Sequence, residues 1–484
     1  KGEAPVRWSF IPLLGWGLEM AKRPIALFQE CAEKYGEVFG IVVGGSRMFI
    51  ITDPHSYDVI LKSNKNLSVS EFHNSIAKNF FGVPLADMEA LDDNYMRALY
   101  SKYLFSDTGL HQLTNRMQKQ LIKRIKVTSE TVTPMQDFLG RMILEASFVS
   151  LFNNLSITEE ESLLSIFNVF DQSLPLAAAG IDVTNFNKIN KARQKLINYM
   201  TNHNTNTSDF IRARAEYLQG MVKAQRISPN SIDSCQNIML WSSSGNTIPA
   251  IFWVVYFILS DQAVLQRAIT EVDDAFLTAA AAEKHTAGDI PLLTQDTLNS
   301  LQFLDACITE TLRLSSGSLI MRFVRHACTL TLSSGNTYRF RRGDKVGLCP
   351  PLLHLDSEVF PSADQFNPDR WLQGDSSEAR VTGSLGRIPV SKGGKELSSA
   401  NTYLVFGGGQ AYCPGRRFAR NEMKTVLVYL LHNFKLNMSV SGDMKAEEAG
   451  SMSVPFPGYD GQRAGLGIFP PLKNIYLHVA HRKR

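Results

Sequence analysis

The sequence predicts a mainly α-helical protein with a smaller β-rich part, and three observations support this fold class. From about residue 92 to 275, apolar residues recur at spacings of three and four, which is the period of an amphipathic helix. Residues 38–53 contain two strand-like runs on either side of Gly44 and Gly45, a pattern typical of a hairpin. After residue 314, prolines and glycines become frequent, and three further strands are predicted at residues 328–332, 336–340 and 345–348.

The remaining elements follow in chain order. A helical pattern ends near Lys34, a short helix is predicted over residues 54–63, and a final helix follows Cys413. Polar or proline-rich composition predicts loops at residues 201–208, 278–291 and 350–405. No internal repeat marks a boundary, so residues 1–484 are predicted to form a single domain.

The composition excludes several classes of protein. The 50 basic and 46 acidic residues give a net charge of +4, too balanced for a nucleic-acid-binding protein. The six cysteines are scattered and do not form the dense framework of a small secreted disulfide protein. The longest apolar run, residues 248–259, is shorter than the roughly 20 residues that span a bilayer. The start at Lys1 is compatible with removal of an N-terminal membrane anchor.

The strongest local signal is the run FGGGQAYCPG, which extends from Phe406 to Gly415. Three consecutive glycines permit a tight loop whose backbone can pass close to a flat ligand. Cys413 ends this loop and a helical pattern follows, so the sulfur is expected near a helix N-terminus. Such a position lowers the pKa of a thiol, as a thiolate ligand of haem iron requires.

The spacing of Phe406, Gly409, Cys413 and Gly415, FxxGxxxCxG, resembles that of the cytochrome P450 family. The resemblance covers nearly the whole chain. It implies haem b (iron protoporphyrin IX), with Cys413 as axial ligand, buried between this cysteine loop and a long oxygen-side helix. One position departs from the family pattern, because Ala411 stands where an Arg or His commonly contacts a haem propionate.

Two further motifs carry the resemblance. Glu310 and Arg313 lie three residues apart on a predicted helix, and Arg370 lies in the segment FNPDRW. By resemblance these three side chains form a structural network near the haem. Arg322 would pair with a haem propionate, since a guanidinium suits a carboxylate. The alternative for Arg322 is an ordinary arginine on a strand.

The oxygen-side helix is predicted around the segment WSSSGNTIP, residues 241–249. Its glycine, small serines and proline weaken the backbone hydrogen-bond ladder and favour a local opening. Dioxygen activation needs proton delivery, and by resemblance Thr247 is the oxygen-activating residue. Asn246 replaces the usual acid and can only orient a water. The alternative is a kinked core helix whose polar side chains are satisfied.

The same segment, together with the stretch RAGLGIFPP at residues 463–471, resembles one branch of the family. That branch contains the sterol and oxysterol 7α-hydroxylases, sterol 12α-hydroxylases and prostacyclin synthase. An uncharged lining favours a large apolar substrate such as a sterol. About half of the candidate pocket positions are expected to be plain core residues; the candidates are Trp241, Ser244, Ile248, Ser318, Leu319, Ile320 and Phe469.

The resemblance also implies partners and a location. Electrons would come from NADPH through NADPH-cytochrome P450 reductase or a similar flavoprotein, at the cytosolic face of the endoplasmic reticulum membrane. Some of Arg416, Arg417, Arg420 and Lys424 are predicted to form a basic surface for an acidic electron donor; the alternative is a solvated helix face with some propionate or backbone contacts.

Three functions are compatible with these motifs. A monooxygenase hydroxylating a sterol uses Thr247. A haem-thiolate isomerase or lyase acting on a lipid peroxide needs neither a reductase nor Thr247. A haem-binding sensor without turnover leaves the oxygen-side helix unexplained. Rearrangement of a peroxide without a reductant distinguishes the second function from the first.

Overall fold

The computed structural model describes residues 2–9, 15–62, 65–201, 207–282, 290–372, 390–443 and 453–483. The chain divides into two compact units. The first contains Lys1–Ser75, Leu312–Cys413 and Tyr459–Pro470. The second contains Ile76–Thr311, Pro414–Gly458 and Pro471–Arg484.

Helices account for most of the described chain, as predicted. They are α1 (Gly17–Lys22), α2 (Pro24–Tyr35), α3 (Asp58–Leu61), α4 (Ser70–Asn79), α5 (Leu85–Ala90), α6 (Asp93–Tyr100), α7 (Asp107–Val127), α8 (Met135–Leu151), α9 (Ile157–Asp171), α10 (Leu174–Ala178), α11 (Asn187–Thr201), α12 (Asp209–Lys223), α13 (Ser231–Ser244), α14 (Thr247–Ser260), α15 (Gln262–Ala282), α16 (Gln295–Ser300), α17 (Gln302–Ser315), α18 (Pro350–His354), α19 (Ser399–Thr402) and α20 (Arg416–Asn433).

The strands are short. They are β1 (Val6–Arg7), β2 (Val38–Val43), β3 (Ser46–Ile51), β4 (Leu67–Ser68), β5 (Thr131–Pro134), β6 (Ile320–Val324), β7 (Cys328–Thr331), β8 (Thr337–Phe340), β9 (Lys345–Leu348), β10 (Ser391–Lys392), β11 (Lys395–Glu396), β12 (Phe434–Ser439) and β13 (Tyr476–His481). The predicted hairpin is confirmed, because β2 and β3 pair antiparallel across Gly44 and Gly45. Both glycines have positive φ, 57° and 73°, which a tight two-residue hairpin turn requires.

One predicted loop is partly wrong. Residues 278–282 continue α15, because the alanines that end it have the highest intrinsic helix propensity. Parts of the three predicted loops lie outside the described residues, namely 202–206, 283–289 and 373–389.

The first unit is built on a six-stranded mixed sheet with the order β1-β2-β3-β9-β6-β4. Helix α2 buries one apolar face against this sheet. Phe28 and Cys31 of the helix belong to the same buried cluster as Phe39, Ile50 and Cys349. The sheet thereby fixes β6, the strand that carries Arg322.

The second unit is mostly helical, with a small sheet in the order β12-β13-β5. Its α14 is apolar on every side and is buried from Thr247 to Leu259 except at Phe257. A helix with this composition has to be surrounded by protein. Within the part of the chain that the structure describes, Ser231–Ser260 is the one helical stretch long and apolar enough to cross a membrane, and 78% of its most apolar window is buried.

Candidate active site

The cysteine loop closes through its backbone. The N–H of Cys413 donates to the carbonyl of Phe406 at 2.8 Å. Gly407 has φ +80°, and a Cβ there would lie 2.4 Å from the carbonyl oxygen of Ala411. Gly409 has φ +57°, and a Cβ there would lie 1.9 Å from the carbonyl oxygen of Leu61. The loop therefore requires glycine at both positions.

The environment of the cysteine suits a metal-binding thiolate. Cys413 is half-buried, and α20 begins three residues later at Arg416. The first N–H groups of a helix have no partner within the helix and carry a partial positive charge, which favours a thiolate nearby. A half-buried thiol after a glycine cradle fits a flat cofactor whose iron takes a sulfur ligand.

A buried cation with unused hydrogen-bonding capacity lies on β6. Arg322 is 3% exposed, and its Nη1 donates to the carbonyl of Met321 at 3.1 Å. Among the described residues no acceptor lies within reach of its Nη2. Burial lowers the pKa of this guanidinium. An unmet buried donor of this kind fits a carboxylate ligand, such as a haem propionate.

Glu310, Arg313 and Arg370, the three residues of the predicted network, lie in the first unit or at its boundary with the second. Glu310 and Arg313 are fully buried on α17. Arg313 donates to the carbonyls of His354 and Ala363, the latter at 2.7 Å. Arg370 is half-buried, and its Nη1 donates to the carbonyl of Pro361 at 3.2 Å. The two arginines thus hold one segment, residues 354–365, and the network of all three side chains stays a prediction.

His354 is a site residue that the sequence analysis missed. It is fully buried, its carbonyl accepts from Arg313, and its Nε2 accepts from the backbone N–H of Leu404 at 3.2 Å. Leu404 in turn accepts from the N–H of Gly407 at 3.0 Å. Burial, and then the charge of Arg313, lower the pKa of His354 to about 3, so the ring stays neutral. His354 therefore links Arg313 to the cysteine loop.

The oxygen-side helix is broken where its composition predicted. Helix α13 ends at Ser244 and α14 begins at Thr247. The Thr247 hydroxyl donates to the carbonyl of Ser243 at 2.6 Å, and Thr247 is 4% exposed. The hydroxyl oxygen of Thr247 has lone pairs with which it can also accept a hydrogen bond from a donor group. Asn246 lies in the break and is half-buried.

The candidate pocket residues around the helix break differ in their burial. Trp241 and Asn246 are half-buried and Ser242 is exposed. Ser244 is fully buried next to Ser243, with 3.2 Å between the hydroxyl oxygens. Ile248 is also buried. The pocket roles of Trp241, Ser244 and Ile248 stay predictions.

Four other candidate pocket residues lie together in the first unit. The ring of Phe469 covers Gly317, where a Cβ would lie 2.4 Å from its Cζ. Ser318 forms a bridge with Gly465, and Leu319 and Ser318 are half-buried. Ile320 is 5% exposed and begins β6. The segment after α17 and the segment around residue 467 therefore form one apolar patch.

The expected basic surface on α20 is smaller than predicted. Arg420 and Lys424 are buried and pair with Asp305, at 3.3 Å and 2.5 Å. Arg417 pairs with Asp107, and Arg416 lies over the ring of Phe105. Arg420 and Lys424 therefore do not contribute to a basic surface, because the helix turns both toward the core.

Comparison with known proteins shows the family of this chain. The family model described as cytochrome P450 matches residues 5–460. This chain therefore belongs to the cytochrome P450 family, and membership implies haem b, dioxygen and monooxygenase chemistry.

Several relatives share nearly the whole length. The chain is 30% identical to the rat (Rattus norvegicus) protein named cytochrome P450 7A1, over 98% of this chain and 93% of the relative. It is 29% identical to cholesterol 7-alpha-monooxygenase of Cricetulus griseus, over 98% and 92%. It is 26% identical to 5-beta-cholestane-3-alpha,7-alpha-diol 12-alpha-hydroxylase of Sus scrofa, over 97% and 91%.

Proposed function

We propose that this protein hydroxylates a sterol or an oxysterol-like lipid, using dioxygen and electrons from NADPH delivered by a flavoprotein reductase. The observation that carries the proposal is the helix break at residues 245–246, with the Thr247 hydroxyl held on the Ser243 carbonyl. A proton-delivering hydroxyl at a helix opening serves dioxygen activation, whereas rearrangement of a lipid peroxide needs none. Three of the relatives carry names that state a sterol reaction, namely cholesterol 7-alpha-monooxygenase, 5-beta-cholestane-3-alpha,7-alpha-diol 12-alpha-hydroxylase and 25-hydroxycholesterol 7-alpha-hydroxylase, and these names support the same choice.

The roles of the protein groups follow from their chemistry. Cys413 supplies a thiolate, and Arg322 supplies an N–H group for a propionate. Phe406, Gly409 and Gly415 shape the loop around the sulfur. Haem bound there supplies the activation of dioxygen. Thr247 holds and passes a proton through its hydroxyl, and Asn246 orients water rather than titrating.

The substrate class rests on the residues expected to line the pocket. Trp241, Leu319 and Phe469 offer apolar surface, and no charged residue occurs between positions 238 and 259. Ser242 and Ser318 offer hydroxyls at accessible positions. Large apolar area with a few placed polar groups suits a fused-ring lipid that carries one or two hydroxyls.

Association with the endoplasmic reticulum membrane, on its cytosolic face, is part of the proposal. An apolar substrate partitions into lipid, so an enzyme at the membrane surface meets it at higher concentration.

The half-buried Arg416 and Arg417 are the remaining basic residues for electron-donor docking on α20. The prediction that residues 1–484 act as one catalytic domain also stays a prediction.

The proposal is tested with the haem-loaded protein. Cholesterol and 25-hydroxycholesterol are titrated while the haem Soret band is followed, and product is then measured with NADPH and a flavoprotein reductase. We expect a saturable Soret shift and a hydroxylated product that requires both NADPH and dioxygen. Rearrangement of a lipid peroxide in the absence of a reductant, without sterol hydroxylation, would contradict the proposal.

Two variants provide the controls. Cys413→Ala removes the sulfur and is expected to abolish the absorbance band that marks thiolate-ligated haem in the reduced carbon monoxide complex. Cys349→Ala removes a thiol that is buried in the sheet cluster and is expected to keep that band. Retention of the band in Cys413→Ala would refute the assignment of the ligand.

A further inference from the structure

We propose that Asp171 is a positioning residue that fixes the indole of Trp241, so that this ring, backed by three buried phenylalanines, forms a rigid wall against the flat face of the substrate. The inference rests on the proposed function, because it assigns the specificity of the same site. Asp171 does not touch the reacting atoms; it acts through Trp241.

A direct hydrogen bond joins the two side chains. The indole Nε1 of Trp241 donates to Oδ1 of Asp171 at 2.7 Å, between residues 70 positions apart in the chain. Tryptophan has a single donor and no acceptor, so this bond uses its whole hydrogen-bonding capacity. The acceptor is an oxygen of a carboxyl side chain. The indole is therefore held in one orientation.

Asp171 lies at the C-terminal end of its helix. It is the last residue of α9, where the helix dipole disfavours a negative charge. The bond to the indole offsets that cost. The carboxylate is thus placed for a contact outside α9.

An aromatic cluster surrounds the indole. Phe170, the neighbour of Asp171, stacks on Phe80 with ring centroids 4.2 Å apart. Trp241 meets Phe80 edge-on at 5.7 Å and Phe81 at 6.0 Å. Edge-to-face and offset-stacked contacts of this kind fix the angles between rings. All three phenylalanines are buried, so the half-buried indole is the ring of the cluster that remains accessible to a ligand.

The indole also lies at the helix break. A Cβ on Gly245 would fall 2.7 Å from Cε2 of Trp241, so the ring covers this glycine directly. Asn246 and Thr247 are the next two residues. A change in the tilt of the indole therefore alters the surface beside Thr247, which is proposed to pass a proton, and Asn246, which is proposed to orient water.

The other side of the cluster is fixed as well. Arg193 on α11 donates from Nη1 to the carbonyl of Phe81 at 2.7 Å. Gly82 has φ +74°, and a Cβ there would lie 2.5 Å from that guanidinium nitrogen. With one side held by Arg193 and the other by Asp171, the wall has little freedom to adapt. A rigid aromatic surface favours a flat, rigid apolar ligand over a flexible chain.

The test compares variants at both ends of the hydrogen bond. Asp171→Leu removes the acceptor, Asp171→Asn keeps an oxygen acceptor, and Trp241→Phe removes the donor. For Asp171→Leu we expect cholesterol to bind about tenfold more weakly, judged by the Soret shift, and a broader set of hydroxylated products. Asp171→Asn should retain most of the cholesterol affinity and most of the product selectivity. Trp16→Phe is the matched control, because the Trp16 indole donates to the carbonyl of Arg7 in the other unit.

The double variant Asp171→Leu/Trp241→Phe shows whether Asp171 acts through the indole. We expect it to match Trp241→Phe alone, because the donor is already gone. An Asp171→Leu effect that persists in full in the Trp241→Phe background would overturn the proposal. So would unchanged cholesterol binding and product distribution in Asp171→Leu.

A measurement without sterol separates this inference from the proposed function. The chain has five tryptophans, and fluorine NMR of the 5-fluorotryptophan-labelled ferrous carbon monoxide complex resolves them. Trp241→Phe assigns one resonance, and we expect Asp171→Leu to shift or broaden that resonance alone. An unchanged Trp241 resonance would refute the positioning role. Absence of any sterol-induced Soret shift in the unaltered protein would instead contradict the proposed substrate.

Discussion

At the scale of single residues, Gly409 and Arg322 show two ways in which one position determines the predicted cofactor site. At Gly409 the neighbouring carbonyl of Leu61 occupies the place of a Cβ, and the backbone lies in the left-handed region. At Arg322 a cation is buried with one N–H group unmet among the described residues. The first position is closed to any side chain, whereas the second has capacity for a ligand.

Gly409→Ala is expected to displace the cysteine loop. The added methyl would clash with the Leu61 carbonyl at 1.9 Å, and an L-residue with φ +57° carries a strain of roughly 1–2 kcal/mol besides. We expect loss of the thiolate-type band of the reduced carbon monoxide complex and a lower urea midpoint. Gly394→Ala is the control, because its φ of +71° is similar but nothing lies within 4 Å. Equal effects of the two substitutions would contradict the role of the close contact.

Arg322→Met is expected to change haem retention and protein stability in opposite directions. Without haem, the buried cation lacks a full set of acceptors, so an apolar side chain of similar length should leave the apoprotein as stable or more stable. With haem, loss of the N–H groups should weaken binding, measured as haem transfer to an acceptor protein. Arg339→Met on β8 serves as a surface control. Slower haem loss in Arg322→Met would refute a propionate contact.

At the scale of elements, α13 and α14 show that residue composition predicts a helix break but does not predict which side of a helix is covered. The break between them was predicted, because glycine, serines and proline weaken the ladder locally. The accessible face of α13 was not, because it depends on which neighbours cover each side. Ser242 is exposed while Ser244 is fully buried, although both are serines of one short run.

Thr247→Ala is expected to uncouple NADPH oxidation from product formation. The substitution removes the hydroxyl that donates to Ser243 and leaves the helix break in place. The ratio of product to NADPH consumed should decrease severalfold, while sterol binding by Soret shift stays close to normal. Thr247→Ser retains the hydroxyl and should keep most of the coupling. Full coupling in Thr247→Ala would exclude a role in proton delivery.

A buried carboxyl on α20 should make stability depend on pH. Glu422 is fully buried, and burial raises its pKa well above the ordinary 4.5, although the hydrogen bond from Ser147 at 2.6 Å opposes the shift. The folded state therefore keeps a proton that the unfolded chain releases above about pH 4.5. Stability decreases as pH rises through this window, by about 1.4 kcal/mol per pH unit for one proton, and levels off above the folded pKa.

Glu422→Gln should remove this dependence. The amide keeps a similar shape and does not ionise, so the urea midpoint should fall less between pH 5 and 7 than in the unaltered protein. Glu161, exposed on α9, gives the control substitution Glu161→Gln. A pH profile that is identical in Glu422→Gln and the unaltered protein would contradict a protonated, buried Glu422.

At the scale of the whole molecule, cofactor binding should couple to folding. A ligand that binds only the folded state stabilises it by mass action, about 4 kcal/mol at a thousandfold excess over its Kd. Removal of haem should therefore lower the Tm by several degrees, and adding haem back should restore it. In Cys413→Ala, the increase in Tm on adding haem should be smaller than in the unaltered protein. An apoprotein with the Tm of the haem-loaded protein would argue against haem as a structural component.

The sequence by itself determined the fold class, the hairpin at Gly44 and Gly45, the cysteine loop and the break before Thr247. These features are local, because backbone freedom at glycine and hydrogen-bond loss at a weakened helix depend on neighbours in the chain. Only the tertiary structure placed His354 between Arg313 and Leu404 and turned Arg420 and Lys424 into the core. It also joined Asp171 to Trp241 across 70 residues. Such contacts depend on how distant elements pack, and no spacing along the chain encodes them.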